Sequence, residues 1–371
     1  MRHTTPLIAV ALLTMSPLVS SGQTIPFDEE HWKFDGPTHE VVMYDGQESL
    51  LLRSSEAVLL DDTFLDGTIE FDVAFSAKRT FTGLQWRRID DANAEEFYFR
   101  PHLAGEPDAN QYTPRTNGLA TWQLHHGPQY SAATRYKHNA WQHVKVVVSG
   151  RRADIYIDSD VPSLTVDLKR EPQSGALSLW EGGLGSAYYA NFTVEKSSDV
   201  QLTGTPVPPP DPAEGAIMAW SISDVFSEAL LEDATGLPDA VKTGRSWKPL
   251  ASESTGLGNI AQVAVKTEDE NTVIARLVIE SERDQVKAIA FGYSDRVRVF
   301  HGDDLLYAGT NTYRTRDYRF LGTIGLFDEV YVKLNRGTNE VWFAVSESFG
   351  GWGITAAIED MEGISLTSTV E

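Results

Sequence analysis

Residues 67–75 read GTIEFDVAF, a stretch in which apolar and polar side chains alternate. A period of two places successive side chains on opposite faces of an extended strand, so this stretch predicts a strand with one buried face. Comparable short stretches recur along the chain between clusters of Gly, Pro, Asn and Asp, which are typical of turns. Many short strands separated by turns predict an all-β fold built from sandwiches or barrels.

The predicted strands form two groups. The first group includes residues 95–100, 143–148, 154–158 and 187–195. The second includes residues 273–279, 286–291, 297–300, 305–308, 330–334 and 341–346, with 354–358 as the expected last strand. One short helix is predicted over residues 221–231.

A proline-rich stretch divides these groups, because five of the seven residues 206–212 are prolines. Proline cannot donate to a strand ladder or continue a helix, so an extended spacer is expected here. A surface loop inside one domain is the alternative. We predict a linker over residues 199–214 between β-rich domains at 23–198 and 215–371.

The first residues have the pattern of a secretory signal: Arg2 and His3, an apolar stretch over 6–19, and small residues at 20–22. We therefore predict a signal peptide at 1–22 and a secreted or periplasmic protein of a bacterium. A buried first strand or a membrane anchor is the alternative, although the stretch is short for a bilayer. No other apolar run approaches that length, so no transmembrane segment is expected.

The composition excludes several classes of function. The 371 residues contain no cysteine, which excludes disulfides, thiolate metal sites and cysteine nucleophiles. The formal net charge is -22, and affinity for nucleic acid requires a basic surface, so a nucleic acid partner is not expected.

Two regions carry a family resemblance. Residues 64–75, the run 97–102 with 110–114, and the step at 141–145 resemble concanavalin A-like lectin/glucanase domains over roughly residues 40–196, near glycoside hydrolase family 16 and 3-keto-disaccharide hydrolase-like proteins. Residues 285–358 resemble galactose-binding-like jelly-roll domains. The resemblance implies two β-sandwiches, a larger and a smaller, and a link to carbohydrates, although such folds host lectins, hydrolases, lyases and interaction modules.

Family 16 enzymes carry three carboxylates on one strand, spaced E-x-D-x-E or E-x-D-x-x-E. Glu70 and Asp72 match the first two positions, but Ala74 and Phe75 occupy the third. Retaining hydrolysis needs two carboxyl groups about 5 Å apart, one of them an acid. The resemblance therefore implies no standard glucanase site, and a strand with a solvated polar face is the alternative.

A second set of residues has the chemistry of a sugar site: aromatic platforms, forked donors and amides. Alternation puts Tyr98, Arg100 and His102 on one strand face, and Gln85 with Arg87 on another, opposite Trp86. The expected ligand-binding residues are Arg87, Tyr98, Arg100, His102, Gln111, Tyr112 and Trp122. The catalytic candidates are Glu70, Asp72 and His102. Structural ion pairs and core packing are the alternative for all of them.

The sequence indicates less about cofactors and about the second domain than about the first domain. No cofactor is predicted; no transition-metal site is indicated, and calcium, which takes oxygen ligands, stays open. Residues 348–353 suggest a surface loop around an exposed Trp352, and residues 313–319 place arginines beside tyrosines.

Three functions follow as hypotheses. The first is a protein that binds polysaccharides or oligosaccharides without catalysis. The second is a glycoside hydrolase or polysaccharide lyase that uses other residues of the concave face. The third is an adhesion or structural module with an envelope protein as its partner.

Overall fold

The computed structural model describes residues 22–367. The predicted signal peptide lies outside the described residues except for Gly22. Within residues 22–367, no helix is long and apolar enough to cross a membrane. The first fourteen strands are β1 Trp32–Asp35, β2 Thr38–Tyr44, β3 Gln47–Arg53, β4 Ser55–Leu59, β5 Gly67–Phe75, β6 Thr80–Asp90, β7 Asn93–Phe99, β8 Asn110–Thr116, β9 Leu119–Ala120, β10 Gln142–Ser149, β11 Arg152–Ile157, β12 Leu164–Asp167, β13 Ala176–Gly183 and β14 Ala187–Lys196.

These strands form two seven-stranded antiparallel sheets. Sheet A has the order β1-β4-β13-β6-β7-β8-β9, and sheet B has the order β12-β11-β10-β5-β14-β3-β2. Each sheet contributes one apolar face to a shared core, so the pair is a β-sandwich, here called the first sandwich.

Strand β5 shows why the sequence folds in this way. Ile69, Phe71 and Val73 are completely buried and point toward sheet A. The alternate residues Glu70 and Asp72 point outward from sheet B. Burial of apolar surface stabilises a strand by about 25 cal/mol for each Å². A slip of one residue would turn the apolar face of β5 to solvent, so this burial fixes its register.

The remaining strands build a second, smaller sandwich. They are β15 Ala219–Ser223, β16 Trp247–Ala251, β17 Gly258–Asn259, β18 Thr272–Ser281, β19 Gln285–Ser294, β20 Arg296–His301, β21 Asp304–Thr310, β22 Asp328–Leu334, β23 Gly337–Ser346, β24 Gly353–Ala357 and β25 Ile364–Thr367. Sheet C has the order β16-β15-β18-β23-β20-β21, with β25 also paired to β18, and sheet D has the order β17-β24-β19-β22. Apolar residues of both sheets enclose one core.

The all-β prediction is confirmed, and two local predictions are wrong. Residues 221–231 are not one helix, because β15 ends at Ser223 and only Glu228–Leu231 form a turn of 3-10 helix. Strand β24 is not the last, since β25 follows it and pairs with β18. Helices are short throughout residues 22–367: Pro101–Leu103, Glu228–Leu231 and Ile260–Gln262 are 3-10, and α1 is Asp239–Lys242.

The proline-rich stretch follows the surface of the first sandwich. The backbone N–H groups of Thr203 and Gly204 donate to the buried Asp154, at 2.7 and 2.8 Å. Further along, the Gln129 side chain donates to the Pro208 carbonyl at 3.1 Å. These hydrogen bonds fasten the stretch to the first sandwich, and its role as a linker between two domains stays a prediction.

Residues 119–126 of the first sandwich contact the second sandwich. Gln123 lies at the centre: its N–H donates to Gly350 O at 2.9 Å, its carbonyl accepts from Ile324 N at 3.0 Å, and its side chain donates to Leu321 O at 2.9 Å. Leu124 packs with Leu257 and Ile324 in a small apolar cluster. The sandwiches therefore meet over a bonded interface.

Candidate functional site

The outer face of sheet A carries a row of polar side chains. Because Leu84, Phe97 and Leu179 point into the core, their neighbours on β6, β7 and β13 point outward. The outward residues at the centre of the sheet are Glu56, Gln85, Glu96, Arg115, Ser178 and Trp180.

Four of these side chains line an open groove of about 510 Å³, namely those of Glu56, Gln85, Arg115 and Trp180. The half-buried ring of Trp180 forms part of it. The lining residues are Asp35, Gly36, Ser54, Ser55, Glu56, Gln85, Arg88, Asp91, Arg115, Trp180, Glu181 and Gly182.

Hydrogen bonds fix the polar side chains of the groove. The Ser178 hydroxyl donates to Glu56 Oε1 at 2.7 Å, and Arg88 lies 3.4 Å from the other Glu56 oxygen. The Gln85 amide donates to Glu96 Oε2 at 2.6 Å, and Arg115 lies 3.6 Å from the same oxygen. The groove is therefore preorganised, because its side chains already hold one another in place.

Three N–H donors at the groove have no partner among the described residues: Trp180 Nε1, Arg88 Nε and Arg115 Nε. Buried donors are normally satisfied, and an unpaired one costs about 1–3 kcal/mol. All three atoms are shielded from solvent as well as unpaired, so they lie beneath the surface of the groove.

The electrostatics of the groove are dominated by carboxylates. Burial raises the pKa of Glu96, and Arg115 and Gln85 only partly oppose this. Burial likewise raises the pKa of Glu181, against hydrogen bonds from Thr80 and Ser54 N. The ionisable side chains that line the groove are Asp35, Glu56, Asp91 and Glu181, and the two guanidinium groups of Arg88 and Arg115.

Three of the predicted ligand-binding residues do come together, beside the groove rather than in it. The Tyr98 hydroxyl, 3.0 Å from Gln111 Oε1, also accepts from Arg100 at 2.6 Å. Arg100 donates to Gln111 as well. The Gln111 amide N–H groups donate to the carbonyls of Trp122 and His125, at 2.9 and 2.6 Å. Tyr98, Arg100 and Gln111 are almost fully buried. The hydrogen bonds of Gln111 anchor residues 122–125, which lie at the interface with the second sandwich.

Arg87 does not share the face of Gln85, contrary to the expectation from alternation. A β-bulge shifts the register near this residue, and Arg87 has a φ of 50°. Its guanidinium turns away and donates to Leu65 O, Asp66 and Gly150 O. Arg88 takes the outward position instead.

Tyr112 also leaves the predicted set, because it points into the core. Its ring is completely buried, and its hydroxyl donates to Glu95 at 2.6 Å. His102 lies in the 3-10 turn Pro101–Leu103 that follows β7, with its ring 5.5 Å from that of Phe81. Burial and the nearby arginines lower the His102 pKa.

Glu70 and Asp72 lie on the opposite side of the molecule from these residues, on the outer face of sheet B. His143 sits between them, 3.3 Å from Glu70 and 2.9 Å from Asp72. Asn191 donates to the second Asp72 oxygen at 2.7 Å. The two carboxylates and His102 therefore cannot act on one substrate, since the whole sandwich separates them.

The second sandwich also differs from the sequence expectation. Trp352 is not exposed: it is fully buried, and its indole N–H donates to Val345 O at 3.0 Å. The exposed aromatic residue of that loop is Phe349, whose ring lies 5.8 Å from that of Trp122. Within residues 22–367, no group of three or more His, Cys, Asp or Glu side chains could hold a metal ion.

Trp180, Glu56 and Arg115 were absent from the predicted site. A signal for Trp180 was present, because residues 176–181 alternate and place Ser178 and Trp180 on the face opposite Leu177 and Leu179. No sequence signal shows which strands neighbour β13, and that order creates the groove.

Comparison with known proteins finds similarity only at the level of structure. No protein-family model and no curated protein matches the sequence. The carbohydrate-binding module CBM66 from Bacillus subtilis is 20% identical, with a TM-score of 0.37 over 45% of this chain and 96% of that chain. A Bacillus subtilis protein of unknown function with a galectin-like fold is 13% identical, with a TM-score of 0.35 over 45% and 90%.

A Bacillus licheniformis β-glucanase is 12% identical, with a TM-score of 0.34 over 47% of this chain and 96% of that chain. Identities and TM-scores this low carry no information about what this chain binds. The galactose-binding-like resemblance of the second sandwich stays a prediction. The chain is an all-β protein of antiparallel sheets.

Proposed function

We propose that this protein binds a neutral saccharide chain in the groove on the outer face of sheet A, with Trp180 as the stacking platform. The observation that supports this most strongly is the half-buried indole ring of Trp180 in a groove lined by charged and amide side chains. We further propose that it works outside the cytoplasm, as the signal pattern at residues 1–22 suggests.

A saccharide fits the chemistry of these walls. A sugar ring has an apolar C–H face that packs on an indole ring, and hydroxyl groups that both accept and donate hydrogen bonds. The groove offers guanidinium N–H donors for accepting oxygens, and the Asp35 and Asp91 carboxylates for donating hydroxyls. Its open shape suits a chain that continues past both ends better than a compact molecule.

The charge of the groove favours a neutral chain. Four carboxyl groups and two guanidinium groups line it, and the chain as a whole carries a formal charge of -22. A uronic acid or sulfated polymer would be repelled by this surface.

Binding without catalysis agrees with how the carboxylates are used. Both oxygens of Glu56 are occupied, by Ser178 and Arg88. Both oxygens of Glu181 accept hydrogen bonds, from Ser54 N and Thr80. A glycosidase needs one carboxyl group free to protonate the leaving oxygen and another free to act on the sugar or on water.

A hydrolase is the second candidate, and Glu96 is the observation that favours it. Its raised pKa is the property that a general acid requires near neutral pH. Release of reducing ends from a polysaccharide, abolished by Glu96→Gln, would establish this candidate in place of binding alone. A folded protein that captures an envelope protein and no glycan would establish the adhesion module.

Calorimetric titration of the purified chain with a panel of neutral and acidic oligosaccharides tests the proposal. We expect a neutral oligosaccharide to bind. Trp180→Ala should weaken this binding at least tenfold, and Trp180→Phe should weaken it less, because Phe keeps a smaller aromatic ring on which the sugar can stack. Tyr331→Ala is the matched control, because this aromatic residue is 69% exposed on the second sandwich. The proposal fails if the folded protein binds no neutral glycan, or if Trp180→Ala binds as tightly as the unchanged chain.

A further inference from the structure

A second cavity, of about 430 Å³, lies where the two sandwiches meet. Pockets of about 300 to 1,000 Å³ at domain interfaces are typical of small-molecule sites. Trp122 and residues 126–128 and 131–133 form part of its wall on the first sandwich, and Leu321 and Thr323 form its wall on the second. We call it the interdomain cleft.

The walls of the cleft are mainly apolar, unlike those of the groove. Trp122, Leu321, two prolines and two alanines supply most of the surface: Pro107, Pro128, Ala132 and Ala133. The one guanidinium at the cleft, that of Arg100, already donates to Asp108 O at 2.8 Å and to the Tyr98 hydroxyl. The cleft therefore presents no unpaired cation to an anionic ligand.

A few polar groups remain free to contact a ligand. The Trp122 indole N–H and the Thr323 hydroxyl make no hydrogen bond to any residue between 22 and 367. The Asp108 carboxylate, one third exposed, lies 3.9 Å from Arg100. These groups supply one or two donors and one acceptor, on different sides of the cleft.

The cleft is formed before any ligand arrives. Gln123 holds the second wall through Leu321 O and Ile324 N, and Gln111 holds the first through Trp122 O. A preformed cavity lowers the cost of binding, since no loop has to become ordered.

We propose that the interdomain cleft binds a small neutral aromatic molecule that carries one or two hydroxyl groups, stacked on Trp122. A saccharide suits the cleft poorly, because it carries a hydroxyl on nearly every carbon and the apolar walls would leave most of them unpaired. A flat aromatic ring fills apolar space against an indole and needs only the few polar partners available. This site goes beyond the proposed saccharide groove and is separate from it.

Resorcinol and cyclohexane-1,3-diol are the probes, because they place two hydroxyl groups alike and differ in whether the ring is flat and aromatic. Titration of the full chain should show resorcinol binding at least tenfold more tightly. Ala133→Trp should abolish resorcinol binding, because Ala133 is exposed and an indole there fills the cleft without disturbing the core. Thr323→Val should weaken resorcinol binding severalfold by removing one hydroxyl at constant size.

Trp180→Ala is the control, because it removes the platform of the groove and should leave resorcinol binding unchanged. The proposal is overturned if the folded chain binds neither probe, if both bind alike, or if Ala133→Trp still binds resorcinol. Loss of resorcinol binding in Trp180→Ala alone would assign the probe to the groove and also overturn the proposal. Oligosaccharide binding, measured on the same variants, reports on the groove independently.

Discussion

Glu253 of the second sandwich forms ion pairs with two residues of the first, so Glu253→Gln should weaken the interface in a pH-dependent way. Its oxygens lie 2.7 Å from His125 Nε2 and 2.7 Å from Lys169 Nζ. Burial by itself raises the pKa of Glu253, but His125 and Lys169 outweigh it and lower the pKa from 4.5 to about 2. The His125 side chain is 1% exposed and that of Glu253 is 17% exposed, so water screens the pair little.

The size of the Glu253 pKa shift gives the free energy of unfolding that its ion pairs contribute. A carboxyl pKa that falls from 4.5 to about 2 on folding contributes about 3 kcal/mol at pH 7, since each unit is about 1.4 kcal/mol. Because the folded pKa is the lower one, this stabilisation is complete above the unfolded pKa and is lost as the pH falls toward 2. At pH 3 about 1.4 kcal/mol should remain.

Urea unfolding followed by tryptophan fluorescence at pH 7 and pH 3 measures this contribution. The difference in unfolding free energy between the unchanged chain and Glu253→Gln should shrink by about half between the two pH values. Glu171→Gln is the matched control, because Glu171 pairs with Arg151 on an exposed surface and should change stability little at either pH. Equal stability of the unchanged chain and Glu253→Gln at pH 7, or a gap that does not depend on pH, would refute the reasoning.

Three further predictions concern the second sandwich and the interface. Burial and the adjacent Asp295 raise the pKa of Glu347 to about 8, so folding becomes less favourable as the pH rises from 4.5 to 8. Glu347→Gln should therefore raise the melting temperature, more at pH 8 than at pH 5, and an equal effect at both would contradict this. Gln111→Leu should lower the unfolding free energy by about 2–3 kcal/mol in urea titrations, because it leaves buried carbonyl groups unpaired; a loss below 1 kcal/mol would show that these bonds matter little. Gly350 has a φ of 109° and a Cβ there would lie 2.0 Å from Gln123 Oε1, so Gly350→Ala should increase amide hydrogen exchange around residue 123, and unchanged exchange would argue against the contact.

Local pattern predicted the strands well where one face is buried. Strand β5 spans the predicted residues 67–75, since its alternating apolar side chains are buried between two sheets. The pattern failed at Arg87, because a β-bulge reverses the face of a strand and leaves no mark in composition. It also failed at Trp352, since a ring beside two glycines looks exposed in sequence while its indole N–H bonds to Val345 O in the core.

The candidate site was harder to predict than the fold. The structure brings Tyr98, Arg100 and Gln111 together, because Tyr98 and Gln111 pair on neighbouring strands and Arg100 follows the end of β7. Their hydrogen bonds are made to each other and to the backbone of residues 122–125, and a ligand-binding role for them stays a prediction. The groove itself depends on β13 lying between β4 and β6, a long-range pairing that local periodicity does not contain.

A structure of the chain with a neutral oligosaccharide selected from the glycan panel tests the central claim most directly. The account predicts a sugar ring stacked on Trp180, with sugar oxygens within hydrogen-bond distance of the Arg88 and Arg115 guanidinium groups. A sugar bound elsewhere on the molecule, with no contact to Trp180, would contradict it.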